Sequence, residues 1–307
     1  MAASLPAGLN SSAQPSPPPR NYSSMHAAPP PSSFATLHPS QENIRKEVED
    51  EIRNLHSENQ VTVAKAAAAL VMVATLPSAE PYLLPAVTQL SLLLENAGSI
   101  HVRRNACAAL TAIMNASLHH YIAVAESSHL MERLLQCLEN EDGDKGLQIN
   151  VVAAVTVLAQ RGEGLQVIKE TEADVKLLSL LECTDDASLE EEITDALCAL
   201  AVHQEMRSHL VMKGAVSRLA VKLRTDSSEI CVRVLLGLGM LCGSSQEAQE
   251  QLAETDSAIG TLLHLIKSDD PDIRAIAHDL FAALCSNKQV KPKIEHVLRR
   301  NRATKDI

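Results

Sequence analysis

Twelve histidines, seven cysteines and 38 carboxylates supply the side chains that metal binding or acid–base catalysis would need, if the chain brings them together. His119, His120 and His129 lie close in sequence, but no cysteine or carboxylate set is spaced with them as zinc requires. They read better as polar turn residues. The acidic runs Glu139 to Asp144, Asp185-Asp186, Glu190 to Glu192 and Asp269-Asp270 fall at turns or at the starts of helical segments. Carboxylates there cap helix N-termini and oppose the positive end of the dipole, so neither a calcium site nor a catalytic pair is needed to explain them. Cys107, Cys137, Cys183, Cys198, Cys231, Cys242 and Cys285 include no C-x-x-C pair and sit mostly in apolar helical runs. They read as buried free thiols of a reducing compartment. The phosphate loop G-x-x-x-x-G-K-[ST], the dinucleotide fingerprint G-x-G-x-x-G and the nucleophile elbow G-x-S-x-G are all missing. The expectation is a protein without catalysis, cofactor, metal or small-molecule substrate.

Composition points to the elements that position these residues. Hydrophobic residues make up 46% of the chain, yet Trp is absent, Phe occurs twice and Tyr three times. Ala, Leu, Val, Ile and Met suit helices packed closely on helices, and suit a β-sandwich poorly. The net charge of −11 argues against nucleic acid as the main partner. No apolar run is long enough to span a membrane, and the N-terminus lacks the basic start and apolar core of a signal peptide. The sequons at Asn10, Asn21 and Asn115 are then chance matches. A cytoplasmic location is expected, with nucleus or cilium as alternatives.

Residues 1–40 hold nine of the 14 prolines, many serines and a single charge, Arg20. Such a segment cannot bury enough apolar surface to order itself, so a disordered tail is expected. Within it Pro15, Pro18 and Arg20 fit P-x-x-P-x-R, which an SH3-type groove can read. Ser16-Pro17 is equally readable as a phosphorylation site, and proline-rich tails also produce such matches by chance. Residues 41–59 read as a capping helix, with Ile44, Val48, Ile52 and Leu55 on one stripe. Residues 299–307 read as a basic C-terminal tail.

Between these ends, over residues 60–298, the chain repeats. Leucine-rich runs end at Leu94, Leu138, Leu181, Leu223 and Ile266, separated by 44, 43, 42 and 43 residues. After each run and its polar turn comes an alanine-rich helix. Its entry residues are Thr62, Val102, Leu147, Leu189, Ile230 and Ile273, separated by 40, 45, 42, 41 and 43. A shorter helix lies between the two landmarks. Two independent landmarks with a period near 42 identify a helical solenoid.

The segment Gly214-Ala-Val-Ser-Arg-Leu-Ala-Val-Lys-Leu223 resembles the G-A-I-x-x-L-v-x-L-L core of armadillo repeats. The other copies place Ser128, Ala173 or Ser257 near the glycine position. The resemblance implies an all-α, right-handed superhelical solenoid of about five to six repeats, whose third helices line a concave groove. In relatives that bind nuclear import signals this helix resembles W-x-x-x-N. Here the Trp column holds Ala68, Ala108, Ala153, Asp195, Leu236 and Asp279, and the Asn column holds Met72, Ala112, Val157, Ala199, Met240 and Ala283. Neither ladder survives, so an import-receptor role is not expected.

Two readings of the small apolar column remain open. It forms a smooth groove floor for an amphipathic helix or the flank of another domain, or it only packs between neighbouring helices. Lys65, Asn105, Asn150, Glu192 and Arg233, two turns earlier, would form a polar rim. Arg133, Lys176 and Arg218, each five residues before the last leucine of its run, would form a basic row open to an acidic partner. The implied function is a protein-binding scaffold or adaptor. Alternatives are a chaperone cofactor, of the heat-shock nucleotide-exchange or myosin-directed type, and a structural subunit of a ciliary assembly.

Overall fold

The computed structural model describes residues 41–127, 129–139, 143–255 and 257–303; Pro15, Pro18, Arg20 and the rest of residues 1–40 lie outside it. Among the described residues the secondary structure is helical, without strands. Helix α1 (Gln41–Asn54) precedes α2 (Gln60–Val73), and five three-helix units follow. They are α3 (Glu80–Leu83), α4 (Ala86–Asn96) and α5 (Ile100–Ala116), then α6 (Leu118–Ala125), α7 (Leu130–Leu138) and α8 (Lys145–Leu158). Next come α9 (Gly162–Glu170), α10 (Ala173–Cys183) and α11 (Ala187–Val202), then α12 (Gln204–Met212), α13 (Ala215–Lys222) and α14 (Ser228–Ser244). The last unit is α15 (Gln246–Glu254), α16 (Ala258–Leu265) and α17 (Pro271–Ser286). Helix α18 (Lys291–Ala303) closes the array and runs across the expected tail boundary at residue 299.

The third helices α2, α5, α8, α11, α14 and α17 stack in chain order and pack on one another most closely. The reason is side-chain size: Ala66, Ala67, Ala106, Ala109, Ala154, Ala196 and Ala277 are buried at these contacts, letting backbones approach. The leucine-rich helices α4, α7, α10 and α13 touch more sparsely, because Leu90, Leu134, Leu177 and Leu219 fill the space between them and the third helices. Close spacing on one side and wide spacing on the other bends the stack, with the third helices inside. At the N-terminal end Ile44, Val48 and Leu55 are buried against the first repeat, which makes α1 the cap. Ile266, the last member of the leucine column, is only half-buried.

Two periodic devices set the turns. Asn59, Asp144, Asp186, Ser227 and Asp270 cap α2, α8, α11, α14 and α17, each side chain accepting a backbone N–H of the first turn. The acidic runs at Asp144, Asp186 and Asp270 therefore have the capping role read from the sequence. The second device is a left-handed residue between the first and second helices of a unit: His129 (φ 61°), Glu172 (φ 53°), Gly214 (φ 79°) and Ser257 (φ 59°). The residues that stand in for the glycine are thus His129 and Glu172, one position from Ser128 and Ala173. Three copies tolerate a side chain in a conformation that costs L-residues about 1–2 kcal/mol.

Asn105 Nδ2 donates to Ala64 O at 2.9 Å, and Asn150 Nδ2 donates to Arg104 O at 3.0 Å. Both side chains are buried and tie one third helix to the backbone of the one before it. Asn150→Ala is expected to lower unfolding stability by about 1–2 kcal/mol in urea melts. Lys65→Ala, in the same column but exposed, is expected to stay within about 0.5 kcal/mol.

Asp174, at the start of α10, is 0% exposed. His209 Nε2 lies 3.0 Å from its Oδ2, at an angle that makes no hydrogen bond, with Lys213 and Glu172 paired beside them. Burial raises the Asp174 carboxyl above the ordinary carboxylate range, with the His209 charge opposing. The folded state therefore holds this proton more tightly than the unfolded state does. The group's contribution to stability declines as pH rises from about 4 through its folded pKa. The stability of the wild type relative to Asp174→Asn is expected to fall between pH 4 and pH 7 in paired urea titrations.

Candidate functional site

The inner face of the solenoid is built from the exposed sides of the third helices, and its columns differ along the array. On α2, Val61, Lys65 and Met72 are exposed at helical spacing, with Met72 at 44%, and Leu76 is exposed just beyond its end. On α5, Ala112 is half-buried below the exposed Leu118. Helix α8 breaks the pattern. Residues 150–159 are all buried, and Val157 is only 1% exposed. Val157 is therefore core, not groove floor. Beyond α8 the face reopens, with Ala199, Met240 and Ala283 half-buried and Leu236 45% exposed. The small apolar column is thus buried at α8 and partly exposed on both sides of it.

The expected polar rim is mostly an internal seam. Asn105 and Asn150 are 4% and 0% exposed and spend their amides on the preceding helix, so they are not available to a ligand. Arg233 bridges Glu191 at 2.9 Å and Asp195 on the preceding third helix, with its side chain 13% exposed. Arg104 of α5 reaches forward to the cap of α8, donating to both oxygens of Asp144 at 2.8 and 2.6 Å. The Leu147 N–H and the Arg104 guanidinium outweigh burial and hold the Asp144 carboxyl below its ordinary value.

The basic row on the leucine-rich helices is also spoken for. Arg133 donates to Glu95 at 3.0 Å and to Ser91 at 2.8 Å, Lys176 pairs with Glu139, and Arg218 donates to Glu182 at 2.7 Å. Each glutamate follows the last leucine of the preceding run. The expected row of open cations is a ladder of inter-repeat ion pairs. The sequence signal that would have found it was present: Glu95, Glu139 and Glu182 stand one residue after the landmark, in the same period as the cations.

The residues suspected of chemistry are kept apart by the fold. His120 is buried in α6 rather than in a turn, its Nδ1 3.1 Å from Ser117 Oγ, and burial pushes its imidazole below the ordinary value. His119 stands beside it on the surface, and His129 occupies its left-handed turn, exposed. Burial lifts the Cys137 thiol to about 11 and those of Cys198 and Cys242 to about 12, so these sulfurs stay protonated at neutral pH. Cys183 and Cys285 are exposed, unlike the buried thiols expected. Cys285 lies one period after the buried Cys242. A shallow cavity of about 380 Å³ opens between α7 and α10, lined by Leu138, Lys176, Ser179 and Cys183 among others.

No family model and no curated protein sequence matches this chain. Solved structures do. A designed armadillo repeat protein, YIII(Dq)4CqI, superposes with TM-score 0.67 at 23% identity, over 77% of this chain and 99% of its own. A computationally designed armadillo repeat protein for modular peptide recognition gives TM-score 0.69 at 22% identity, over 77% and 99%. The fold is an armadillo solenoid. A third designed armadillo protein, solved in complex with the peptide (KR)4, gives TM-score 0.68 at 21% identity, over 78% and 99%.

Exposed or half-exposed ion pairs contribute little each, so Arg133→Ala, Lys176→Ala and Arg218→Ala are each expected to cost less than about 1 kcal/mol. The cost is expected to shrink in 0.5 M salt in urea melts, as screening removes what the pairs supply.

Proposed function

We propose that this chain is a non-enzymatic scaffold or adaptor that binds partner proteins on the third-helix face of its solenoid. The observation that carries the reading is the pair of exposed large apolar residues on that face, Met72 at 44% and Leu236 at 45%, on either side of the closed helix α8. The fold covers neither side chain. Leaving a large apolar side chain this open forgoes part of the roughly 1.5–3 kcal/mol that burying it supplies. A partner that covers it recovers that energy. The designed armadillo proteins of like fold include one made for peptide recognition and one solved with a bound peptide, which supports a protein or peptide as the ligand class.

The test is selection of a displayed peptide library on the full chain, followed by binding measurements on Leu236→Glu and Met72→Glu. Both variants replace exposed side chains, so thermal melts are expected to match the wild type within a few degrees. Ligands of micromolar Kd are expected, weakened at least tenfold by one substitution and not by the other, according to which half of the face they use. If no ligand emerges, or if every ligand ignores both substitutions, the reading falls.

A further inference from the structure

We propose that the C-terminal half of the third-helix face, over α11, α14 and α17, receives a basic amphipathic helix of a partner protein. This rests on the binding reading above and names its ligand. Helix α14 carries three glycines, and their surroundings differ. A Cβ at Gly237 would meet Cys198 Sγ at 3.2 Å and Leu219 at 3.6 Å, so close packing inside the fold accounts for that glycine. A Cβ at Gly239 or Gly243 would meet nothing within 4 Å. Gly239 lies in the helix interior, where glycine costs about 1 kcal/mol relative to alanine, and no intramolecular contact repays it. Leu236, Gly239, Met240 and Gly243 fall at steps that place them together on one side of α14. The exposed leucine and two open glycines make a shallow seat over which another backbone can come close.

The charge around this seat has one sign. Glu192, Asp195, Glu229, Asp272 and Asp279 lie on the same columns of the three helices, and Arg233 is already tied to Glu191 and Asp195. In the column of Leu236, its neighbours one repeat away on either side are Asp195 and Asp279, the latter 88% exposed at its side chain. Third helices stack about 8–10 Å apart. A partner helix about 10 Å across, lying on α14, therefore brings cations beside its apolar stripe over the exposed Asp279 of α17. The seat also selects a helix over an extended strand. Ala199, Met240 and Ala283 offer no amide to the peptide groups of a strand, which would lose water against an apolar floor without replacement. A helix satisfies its own peptide groups and needs only the floor and the charges.

The experiment is fluorescence anisotropy on the full chain with three labelled peptides of about 18 residues. One has a leucine stripe flanked by lysines, one has the same stripe flanked by glutamates, and one has the lysine composition with the stripe scrambled. The first is expected to bind at least tenfold tighter than either of the others. Gly243→Leu is expected to weaken it at least tenfold, and Asp279→Lys several-fold with a flatter salt dependence. Gly239→Ala is expected to weaken binding while raising the melting temperature, whereas a glycine needed for internal packing would lower it. Equal binding of the acidic or scrambled peptide, or full binding by Gly243→Leu, overturns the proposal. If the basic helix fails while library ligands sensitive to Leu236→Glu exist, this proposal alone falls. If the library also yields nothing, the binding reading falls with it.

Discussion

Close contact between successive third helices is the constraint from which the rest of the molecule follows. Alanines at the contacts of α2, α5 and α8 bring backbones near enough for Asn105 and Asn150 to reach the carbonyls of the helix before. Leucines on the other side keep the second helices further apart, and the difference in spacing sets the curvature. Each unit touches little beyond its neighbours, so stability is a sum of similar interfaces rather than one central core. The cap column from Asn59 to Asp270 and the left-handed column from His129 to Ser257 recur because every interface needs the same entry angle and the same turn.

Curvature also decides which residues a partner can meet. At α8 residues 150–159 are all buried. Nearer the ends the same columns open to solvent, and the face becomes two separate seats rather than one continuous groove. The two differ chemically. The N-terminal seat carries Lys65 and His101, and the C-terminal seat carries carboxylates.

The cations of this acidic chain are used largely within it. Arg104, Arg133, Lys176, Arg218 and Arg233 each reach back or forward to a carboxylate of the adjoining unit. Individually such pairs are weak, but their regular placement fixes register between units whose apolar surfaces are otherwise interchangeable. With its guanidinium committed to Glu191 and Asp195, Arg233 does little to offset the remaining carboxylates around α14. The acidic character of that seat follows from the internal pairing.

The repeat, its period, the helical class and the capping acids were all legible in the sequence, because leucine spacing, alanine content and cap residues are local properties that every unit restates. The exposure of a given column member was not. Val157 and Met240 share a column, yet one is buried and the other half-open, a difference that membership of the column does not encode. Asn105 and Asn150 looked like surface amides, and Arg133, Lys176 and Arg218 looked like an open basic row, because a sequence lists polar residues without their partners. Those partners lie some 36 to 46 residues away and meet them only when the units stack. Sequence alone determined the unit and its repetition. The tertiary structure decided what each unit shows to the outside, because burial belongs to the stack and not to the helix.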